Sequence, residues 1–117
     1  MILNEIKSKL EELDKHVDYG LVDPEKCKTE WNCIVFNRVR PRYNTNLTSK
    51  SDYFDVHIFR ENFIPEDFDM EVIAKMREID GVRLASEDGT YNYAAKPNTN
   101  AIVEILTLHF VRARKNV

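Results

Sequence analysis

Hydrophobic and polar residues alternate with a period of two along residues 101–114, AIVEILTLHFVRAR. Alternate side chains of an extended chain point to opposite faces, and here both faces are largely apolar. The two faces carry Ile102, Leu106, Leu108 and Phe110, and Val103, Ile105, His109 and Val111. Such a pattern is typical of a strand in the middle of a sheet, or of one that packs on a core and on a partner. It predicts a long strand late in the chain.

Two other segments carry apolar residues at spacings of three and four, which predicts amphipathic helices. The first covers residues 2–17, and we expect Gly20 to end it as a C-terminal glycine. The second follows Pro65 and ends at the pair 80–81, Asp-Gly. Their apolar positions are Ile2, Leu3, Ile6, Leu10, Leu13 and Val17, and Phe68, Val72, Ile73, Met76 and Ile79.

Dense β-branched and aromatic residues predict two further long strands, at residues 31–39 and 53–64. Residues 43–52 are rich in Asn, Ser and Thr and lack apolar periodicity. We therefore expect them to form a loop at the mobile tip of a long hairpin. An Asp-Gly turn signal predicts a short second hairpin between residues 82–85 and 91–95.

Two apolar helix faces and one apolar sheet face need one another for burial. We therefore predict an α+β fold in the order α-β-β-α-β-β-β, with both helices packed on one face of a largely antiparallel sheet. A chain of 117 residues with 43% hydrophobic residues suits one domain, residues 1–117, with a single core. The other sheet face carries Tyr, His, Thr and Asp, and is either solvated or an interface.

The chain is mildly acidic, with 17 Lys and Arg against 20 Asp and Glu and a formal net charge of −3. This composition gives no general reason to expect nucleic-acid binding. We interpret Cys27 and Cys33 as two free, partly buried thiols in a reducing compartment. The first residues are too charged for a signal peptide, and no apolar run approaches the ~18 residues of a membrane span. We expect a cytoplasmic protein without a membrane partner.

Residues that could support catalysis or metal binding are scattered along the chain. His16, His57 and His109 lie in different predicted elements, and no HxH, HExxH or CxxC spacing occurs. Even if the strands bring His57 and His109 together, we interpret both as structural or solvated. Cys33 lies in an apolar strand, where burial disfavours a thiolate. We expect no enzymatic activity, no catalytic residue, no metal and no cofactor.

Basic residues alternate at the end of the first long strand. Arg38, Arg40 and Arg42 are two apart, so a regular strand would project them from one side. This row could be solvated and protect a sheet edge, contact acidic residues of a neighbouring subunit, or contact nucleic-acid phosphates. An acidic stretch at the second helix, which the helix dipole also explains, favours self-association. The candidate subunit or tail-tube interface comprises Arg38, Arg40, Arg42, Tyr43, Lys50, Arg60, Glu66, Asp67, Asp69, Arg112 and Arg114.

Two segments carry a resemblance to a known group of proteins. Residues 53–79, YFDVHIFRENFIPEDFDMEVIAKMREI, run from an alternating strand through a Pro-acidic junction into an amphipathic helix. Residues 103–115, VEILTLHFVRARK, form a last strand with a short basic end. In this order of elements, over nearly its whole length, the chain resembles the tail-terminator and tail-completion (head–tail joining) proteins of long-tailed bacteriophages.

The resemblance implies a single tail-terminator-like domain and a virion structural protein without catalytic residues. Such proteins form a homo-oligomeric ring, commonly a hexamer, at the head-proximal end of the tail. The ring stops growth of the tail tube and offers the surface to which the filled head attaches. The implied partners are other copies, the tail tube protein and head–tail connector proteins, first in the host cytoplasm and then in the virion.

A second interpretation of the sequence remains open. The chain could be a small non-enzymatic protein-binding module that acts through the exposed sheet face. Such a module would stay monomeric at high concentration and would form no ring. Neither interpretation predicts specific nucleic-acid binding.

Overall fold

The structure is a computed structural model that describes residues 1–22, 31–96 and 99–115. Cys27 lies outside these ranges, whereas Cys33 is fully buried in the sheet. Within the described residues there are two helices and a six-stranded, mostly antiparallel sheet, so the predicted α+β class is confirmed. The elements are α1 (Ile2–Glu11), β1 (Val17–Tyr19), β2 (Cys33–Tyr43), β3 (Ser49–Glu61), α2 (Phe68–Arg77), β4 (Val82–Leu84), β5 (Thr90–Ala95) and β6 (Ile102–Lys115).

The predicted long late strand is confirmed as β6, which lies inside the sheet. One side of β6 pairs with β3, from Ser49 opposite Lys115 to Glu61 opposite Val103. The other side pairs with β5 and β4, and the sheet order is β1-β2-β3-β6-β4. β1 is parallel to β2, and the remaining pairs are antiparallel. Because β6 has neighbours on both sides, its backbone groups can be satisfied along most of its length.

The predicted short hairpin around the Asp-Gly pair is wrong. β4 and β5 both pair antiparallel with β6, so the chain runs in the same direction through both strands along one side of β6. Gly89 is needed here for a close approach. A Cβ atom at this position would lie 3.1 Å from side-chain atoms of both Leu106 and Leu108, and 3.3 Å from the Thr107 carbonyl oxygen. The glycine thus marks where the chain crosses closely over β6.

The first helix is shorter than predicted, and an additional strand follows it. α1 ends at Glu11, whereas Val17 begins β1. The Asp14 carboxylate accepts a hydrogen bond from the backbone N–H of His16 at 2.9 Å, and such local bonds compete with helix continuation. Gly20, with φ of +86°, therefore follows a strand and does not end a helix. The observed order is α-β-β-β-α-β-β-β.

The loop predicted over residues 43–52 is also shorter, because β2 and β3 extend into it and leave only residues 44–48 between them. Asn44 organises this turn. Its Oδ1 accepts hydrogen bonds from the backbone N–H groups of Thr48 at 2.9 Å and Ser49 at 3.0 Å. An Asn side chain that satisfies two backbone donors stabilises a tight turn, which is why a polar segment here continues the hairpin.

One apolar cluster joins both helices to one face of the sheet, which we call the helix face. Ile6 and Leu10 of α1 and Val72 and Met76 of α2 are fully buried in it. Their strand partners in the cluster include Ile34, Phe36, Phe54, Val56, Ile58, Leu106, Leu108 and Phe110. Each such side chain contributes roughly 1.5–3 kcal/mol by leaving water. The opposite side of the sheet is called the open face.

Candidate functional site

Past the apolar cluster, β2, β3 and β6 continue side by side as three strands. We call residues 38–43, 49–53 and 111–115 the β-ribbon. Residues 38–43 are exposed at every position, in contrast to the four buried residues that begin β2. The pairing of β3 with both neighbours continues through the β-ribbon to its end. The β-ribbon is therefore a paired extension of the sheet, in which Val111 is the one buried residue among those described.

A register shift in β2 separates the three arginines that the sequence predicts on one side. Arg38 pairs with Phe54, whereas Arg40 pairs with the adjacent residue Tyr53, so β2 contains an extra residue at this point. Directly paired residues share a face of the sheet. Arg38 therefore lies on the helix face, and Arg40 and Arg42 lie on the open face. The predicted single-sided row is wrong, because the bulge shifts the alternation by one residue.

A cleft of about 540 Å³ lies at the β-ribbon. By register, Arg112 opposite Asp52 and Arg114 opposite Lys50 share the helix face with Arg38. We call Arg38, Lys50, Arg112 and Arg114, together with Asp52, the basic cleft. The complete lining is Met1, Ile2, Arg38, Val39, Arg40, Pro41, Tyr43, Lys50, Asp52, Tyr53, Phe54, Arg112 and Arg114. Residues distant in sequence thus form one strongly cationic concavity.

Asp52 is the one carboxylate among the described residues that line the basic cleft, and its ion pairs are long. Lys50 Nζ lies 3.6 Å from Asp52 Oδ1, and Arg114 Nε lies 3.7 Å from Asp52 Oδ2. Strong charge-assisted hydrogen bonds are shorter, about 2.7–2.9 Å. Arg38 and Arg112 form no ion pair within the described part of the chain. The positive charge of the cleft is therefore only partly neutralised by the protein.

Two aromatic rings lie beside cations of the β-ribbon. The Arg40 guanidinium carbon is 4.3 Å from the ring centroid of Tyr53, and Lys50 Nζ is 5.8 Å from that of Tyr43. Both distances allow a cation–π attraction, which is modest at exposed sites, about 0.5–1 kcal/mol. Tyr43 is more than half exposed. Its ring remains accessible to a binding partner.

Arg60, which the sequence groups with these basic residues, lies elsewhere. It is near the opposite end of β3 from Lys50, and its guanidinium carbon is 4.6 Å from the ring centroid of Phe68. Arg60 Nη1 lies 2.9 Å from Asp14 Oδ2, and both side chains are largely buried. Arg60 therefore joins β3 to the turn after α1 and does not line the basic cleft.

The acidic candidates lie at the start of α2, away from the basic cleft. Asp67 occupies the N-cap position with φ of +67°, and its side chain makes no capping hydrogen bond. Asp69 lies in the first turn and lines a groove of about 340 Å³ together with Met70 and Tyr91. Glu66 precedes the helix and is exposed. Asp69 thus lies beside β5, on the opposite side of the sheet from β2.

β5 is an exposed edge strand without charged residues. All six of its residues, TYNYAA, are exposed. In the described part of the chain only β6 pairs with it, so its outer edge has no strand partner. Met70, Tyr91, Tyr93 and Ile102, all more than half exposed, lie on or beside β5. Natural edge strands usually carry Lys, Pro or a bulge that prevents pairing, and β5 carries none of these.

The surroundings of the two β5 tyrosines are acidic. The Tyr93 hydroxyl donates to Glu104 Oε2 at 2.9 Å, and this hydrogen bond is the main cause that raises the pKa of Tyr93. Burial, followed by the charges of Asp69 and Glu104, raises the pKa of Tyr91. Both phenols are therefore held in the neutral, hydrogen-bonding form, next to carboxylates that suit a basic partner.

The middle of the open face carries a closed network of polar side chains. His57 Nε2 donates to Asn37 Oδ1 at 2.7 Å, because the Asn37 amide nitrogen is engaged with the Arg38 carbonyl. Nδ1 then accepts from the Thr107 hydroxyl at 2.8 Å. Burial, its largest cause, lowers the pKa of His57 and favours this neutral tautomer. His57 and His109 lie on adjacent paired strands but make separate contacts, His109 with Asp55 at 2.6 Å.

A small apolar groove of about 160 Å³ lies at the other end of the open face. Trp31 and Phe59 form one side of it, and Val103 and Ile105 form its floor. Glu61 Oε1 accepts hydrogen bonds from the Trp31 N–H at 2.9 Å and from Lys96 Nζ at 2.7 Å, which fixes the rim. The hydrogen bond from Lys96 is the main cause that lowers the pKa of Glu61.

No family model matches the chain, and no curated protein matches it. Among the described residues, none of the helices is both long and apolar enough to cross a membrane. The same residues contain no group of three or more His, Cys, Asp or Glu side chains arranged to hold a metal ion. The function must therefore be argued from the surfaces of the molecule.

Proposed function

We propose that this chain is a structural protein of a long-tailed phage virion, whose copies form a homo-oligomeric ring at the head-proximal end of the tail. There the ring ends tail-tube growth or joins the tail to the head. The observation that carries the proposal is the exposed, uncharged edge of β5. The resemblance of residues 53–79 and 103–115 to tail-terminator and joining proteins supports the placement in a tail.

The two edges of the sheet are complementary in charge. β1 pairs only with residues 34–36 of β2, so the edge of β2 beyond them is open within the described residues. That edge carries Arg40 and Arg42, whereas Asp69, Glu87 and Asp88 lie in the groove beside β5. A contact between different edges of two copies is heterologous, and such contacts produce rings when the rotation closes. Edge-to-edge addition would satisfy the outer backbone groups of β5.

The assembly experiment measures the molar mass of the purified protein by light scattering over a range of concentrations. We expect rings of defined mass, hexamers by the resemblance, visible by negative-stain electron microscopy. Asn92→Lys places a charge on the edge of β5 and should leave a folded monomer. Asn4→Lys adds the same charge to exposed α1 and should assemble normally. A monomer at every concentration, or equal effects of both variants, contradicts the proposal.

A charge exchange tests which surfaces meet. Arg40→Glu combined with Arg42→Glu should weaken assembly strongly, because the β2 edge would then repel the acidic groove. Adding Asp69→Lys and Asp88→Lys should restore assembly in the same protein. If the changes in the acidic groove restore assembly, the two surfaces are in direct contact, because these changes would not repair a loss of assembly that had another cause. Persistent loss in the fourfold variant argues against this pair of surfaces.

The tail assignment is tested by electron microscopy of a phage lysate that lacks this gene product. Overlong tail tubes would identify a terminator. Tails of normal length beside detached, filled heads would identify a joining protein. Normal infectious virions would overturn the virion assignment, even if the purified protein forms rings.

The apolar groove at Trp31 and Phe59 favours a second candidate function, a protein-binding module that acts through the open face. Aromatic and aliphatic side chains around a concavity are typical of peptide-binding sites. This candidate predicts a monomer at high concentration, and binding that Phe59→Ala abolishes while Asn92→Lys does not affect it. The two candidates are therefore separated by the same mass measurement.

A further inference from the structure

The basic cleft differs in sign from the molecule as a whole. The chain has a net charge of −3, yet four basic side chains line this cleft, and Asp52 is the one carboxylate among its described lining residues. Arg112 and Arg114 come from β6, Lys50 from β3 and Arg38 from β2. Only the fold brings them together. Like charges that share one cleft repel one another, so the cluster is most favourable when an anion occupies it.

We infer that the basic cleft binds the phosphodiester backbone of a nucleic acid without regard to sequence. Guanidinium groups match the acceptor geometry of phosphate, and three of the four cations are arginines. The cations of Arg38 and Arg112 have no ion-pair partner in the described residues and are ready to meet a ligand. Asp52 faces the same cleft, and its ion pairs with Lys50 and Arg114 are long enough that these two cations can contact phosphates as well.

An exposed aromatic ring distinguishes a nucleic acid from an acidic peptide. Tyr43 lines the cleft, lies in register with Lys50 on the helix face and is more than half exposed. Tyr53 also borders the cleft, but by register its ring lies on the open face against the Arg40 guanidinium. Nucleic acids provide bases that stack on a ring such as that of Tyr43 as well as phosphates, whereas an acidic peptide would use the cations alone.

The four cations of the basic cleft differ from those of the proposed contact between copies, although Arg40 of that contact also borders the cleft. The contact uses the outer edges of β2 and β5, with Arg40 and Arg42 on the open face. The basic cleft uses Arg38, Arg112 and their neighbours on the helix face. The bulge after Arg38 is the feature that divides one basic row between two surfaces. Nucleic-acid binding can therefore be measured in the monomeric Asn92→Lys variant as well as in the assembled protein.

The experiment measures fluorescence anisotropy of labelled DNA, as a single strand and as a duplex of about 20 nucleotides. With about four phosphate contacts, raising salt from about 50 to about 200 mM should weaken binding roughly 50-fold for the single strand and roughly 150-fold for the duplex. The single-strand and duplex arms show whether base stacking contributes. Unlabelled polyglutamate is added as a competitor.

Arg38→Gln combined with Arg112→Gln should lower affinity at least tenfold and reduce the salt slope by about two contacts. Lys15→Gln with Arg77→Gln makes the same charge change on exposed residues elsewhere and should change affinity less than about twofold. Lys50→Gln alone, which keeps the arginines, should reduce the slope by about one contact.

Absence of DNA binding by the wild-type protein at low salt overturns the inference. So does an equal loss in the Lys15 and Arg77 control, which would indicate only a general charge effect. If polyglutamate displaces DNA and binds more tightly than DNA does, the cleft is assigned to a protein partner instead. Thermal unfolding of each variant is recorded, and the Lys50 variant provides the result if the double variant is unfolded.

Discussion

Phe54 and Asp52 lie two residues apart on the same face of β3, yet their environments are opposite. Phe54 is almost completely buried in the cluster that both helices share. Asp52 lies in a cationic cleft past the end of that cluster. The hydrogen-bonded pairing of β3 with β6 is continuous across both positions. One sheet therefore has a body held by apolar burial and a ribbon held mainly by backbone pairing, with ion pairs and cation–π contacts at its surface.

The difference shows how a small fold frees a surface for binding. In the body, side chains on the helix face must be apolar and closely packed, so few changes are tolerated. In the β-ribbon the same positions carry Arg38, Lys50 and Arg112, which no core requires. The body anchors the strands, and the ribbon presents charges at fixed spacing. Substitutions in the two regions should consequently have very different effects on stability.

The largest effect is expected in the body, for Phe110→Ala. Phe110 is fully buried and lies in register with Phe54. Its loss removes apolar burial and leaves a cavity, which costs about 3–5 kcal/mol of unfolding free energy. Urea denaturation followed by circular dichroism measures this value.

The matched change in the β-ribbon is Tyr43→Ala. Tyr43 is an aromatic residue of a paired strand but is more than half exposed. Its removal should cost less than about 1 kcal/mol, mainly the loss of cation–π and cross-strand contacts. If both variants lose similar stability, the division into a packed body and an exposed ribbon is wrong.

An effect smaller than that of Phe110→Ala is expected where β5 joins the body, for Gly89→Ala. The new Cβ would lie 3.1 Å from the Leu106 and Leu108 side chains and close to a backbone carbonyl of β6. The leucine tips can move, but the backbone oxygen cannot do so easily, so we expect a loss of about 1–2 kcal/mol. Glu87→Ala, in the same exposed segment, is the control and should be nearly neutral. Unchanged stability of the Gly89 variant would indicate that β5 lies further from β6 than the structure places it.

The sequence predicted the body much better than the ribbon. Alternation along β6 and helical spacing in α2 identified these elements, because burial imposes a period that can be counted. The apolar spacing predicts too long a helix for α1. Val17 continues that spacing, although the chain there is a strand. The sequence also predicted a hairpin from the Asp-Gly pair, where Gly89 is required by the close crossing of β6. Local turn signals do not reveal which distant strand a segment contacts.

The basic cleft could be anticipated only in part. Arg112 and Arg114 were recognised as candidates from their charge, but nothing in the sequence places them beside Lys50 and Arg38. That depends on the register of three strands and on one bulge, which no residue type in β2 encodes uniquely. Grouping Arg60 with them is wrong. β3 is 13 residues long, so Arg60 and Lys50 lie near opposite ends of the strand. The edge of β5 was missed, although its uncharged, tyrosine-containing sequence was a usable signal.

A pH-dependent effect is expected in the body from His57. Burial lowers the pKa of His57 in the folded protein below its ordinary value of 6.5. The unfolded chain therefore binds a proton at a higher pH than the folded protein does. The stabilising contribution is complete above about pH 6.5 and is lost as the pH falls toward the lower, folded-state pKa.

Urea midpoints at about pH 7.5 and about pH 5.5 measure this loss. His57→Gln can still donate to Asn37 and accept from Thr107 but does not titrate, so it should lose less stability over this interval than the wild type. His16→Gln removes a histidine outside the network and is the control. An identical pH dependence for wild type and His57→Gln contradicts the neutral, network-bound state of His57.

The smallest effect is expected for the arginines of the β-ribbon. Arg42 is exposed on the open face and forms no ion pair within the described residues. Arg42→Ala should therefore change the free energy of unfolding by less than about 0.5 kcal/mol, as is usual for surface substitutions. The measurement should be made on the monomeric Asn92→Lys background, since ring formation would itself add stability by mass action. A loss above about 1 kcal/mol in that background would mean that the arginine contributes to the fold itself, and the ribbon would then not be a surface free for binding.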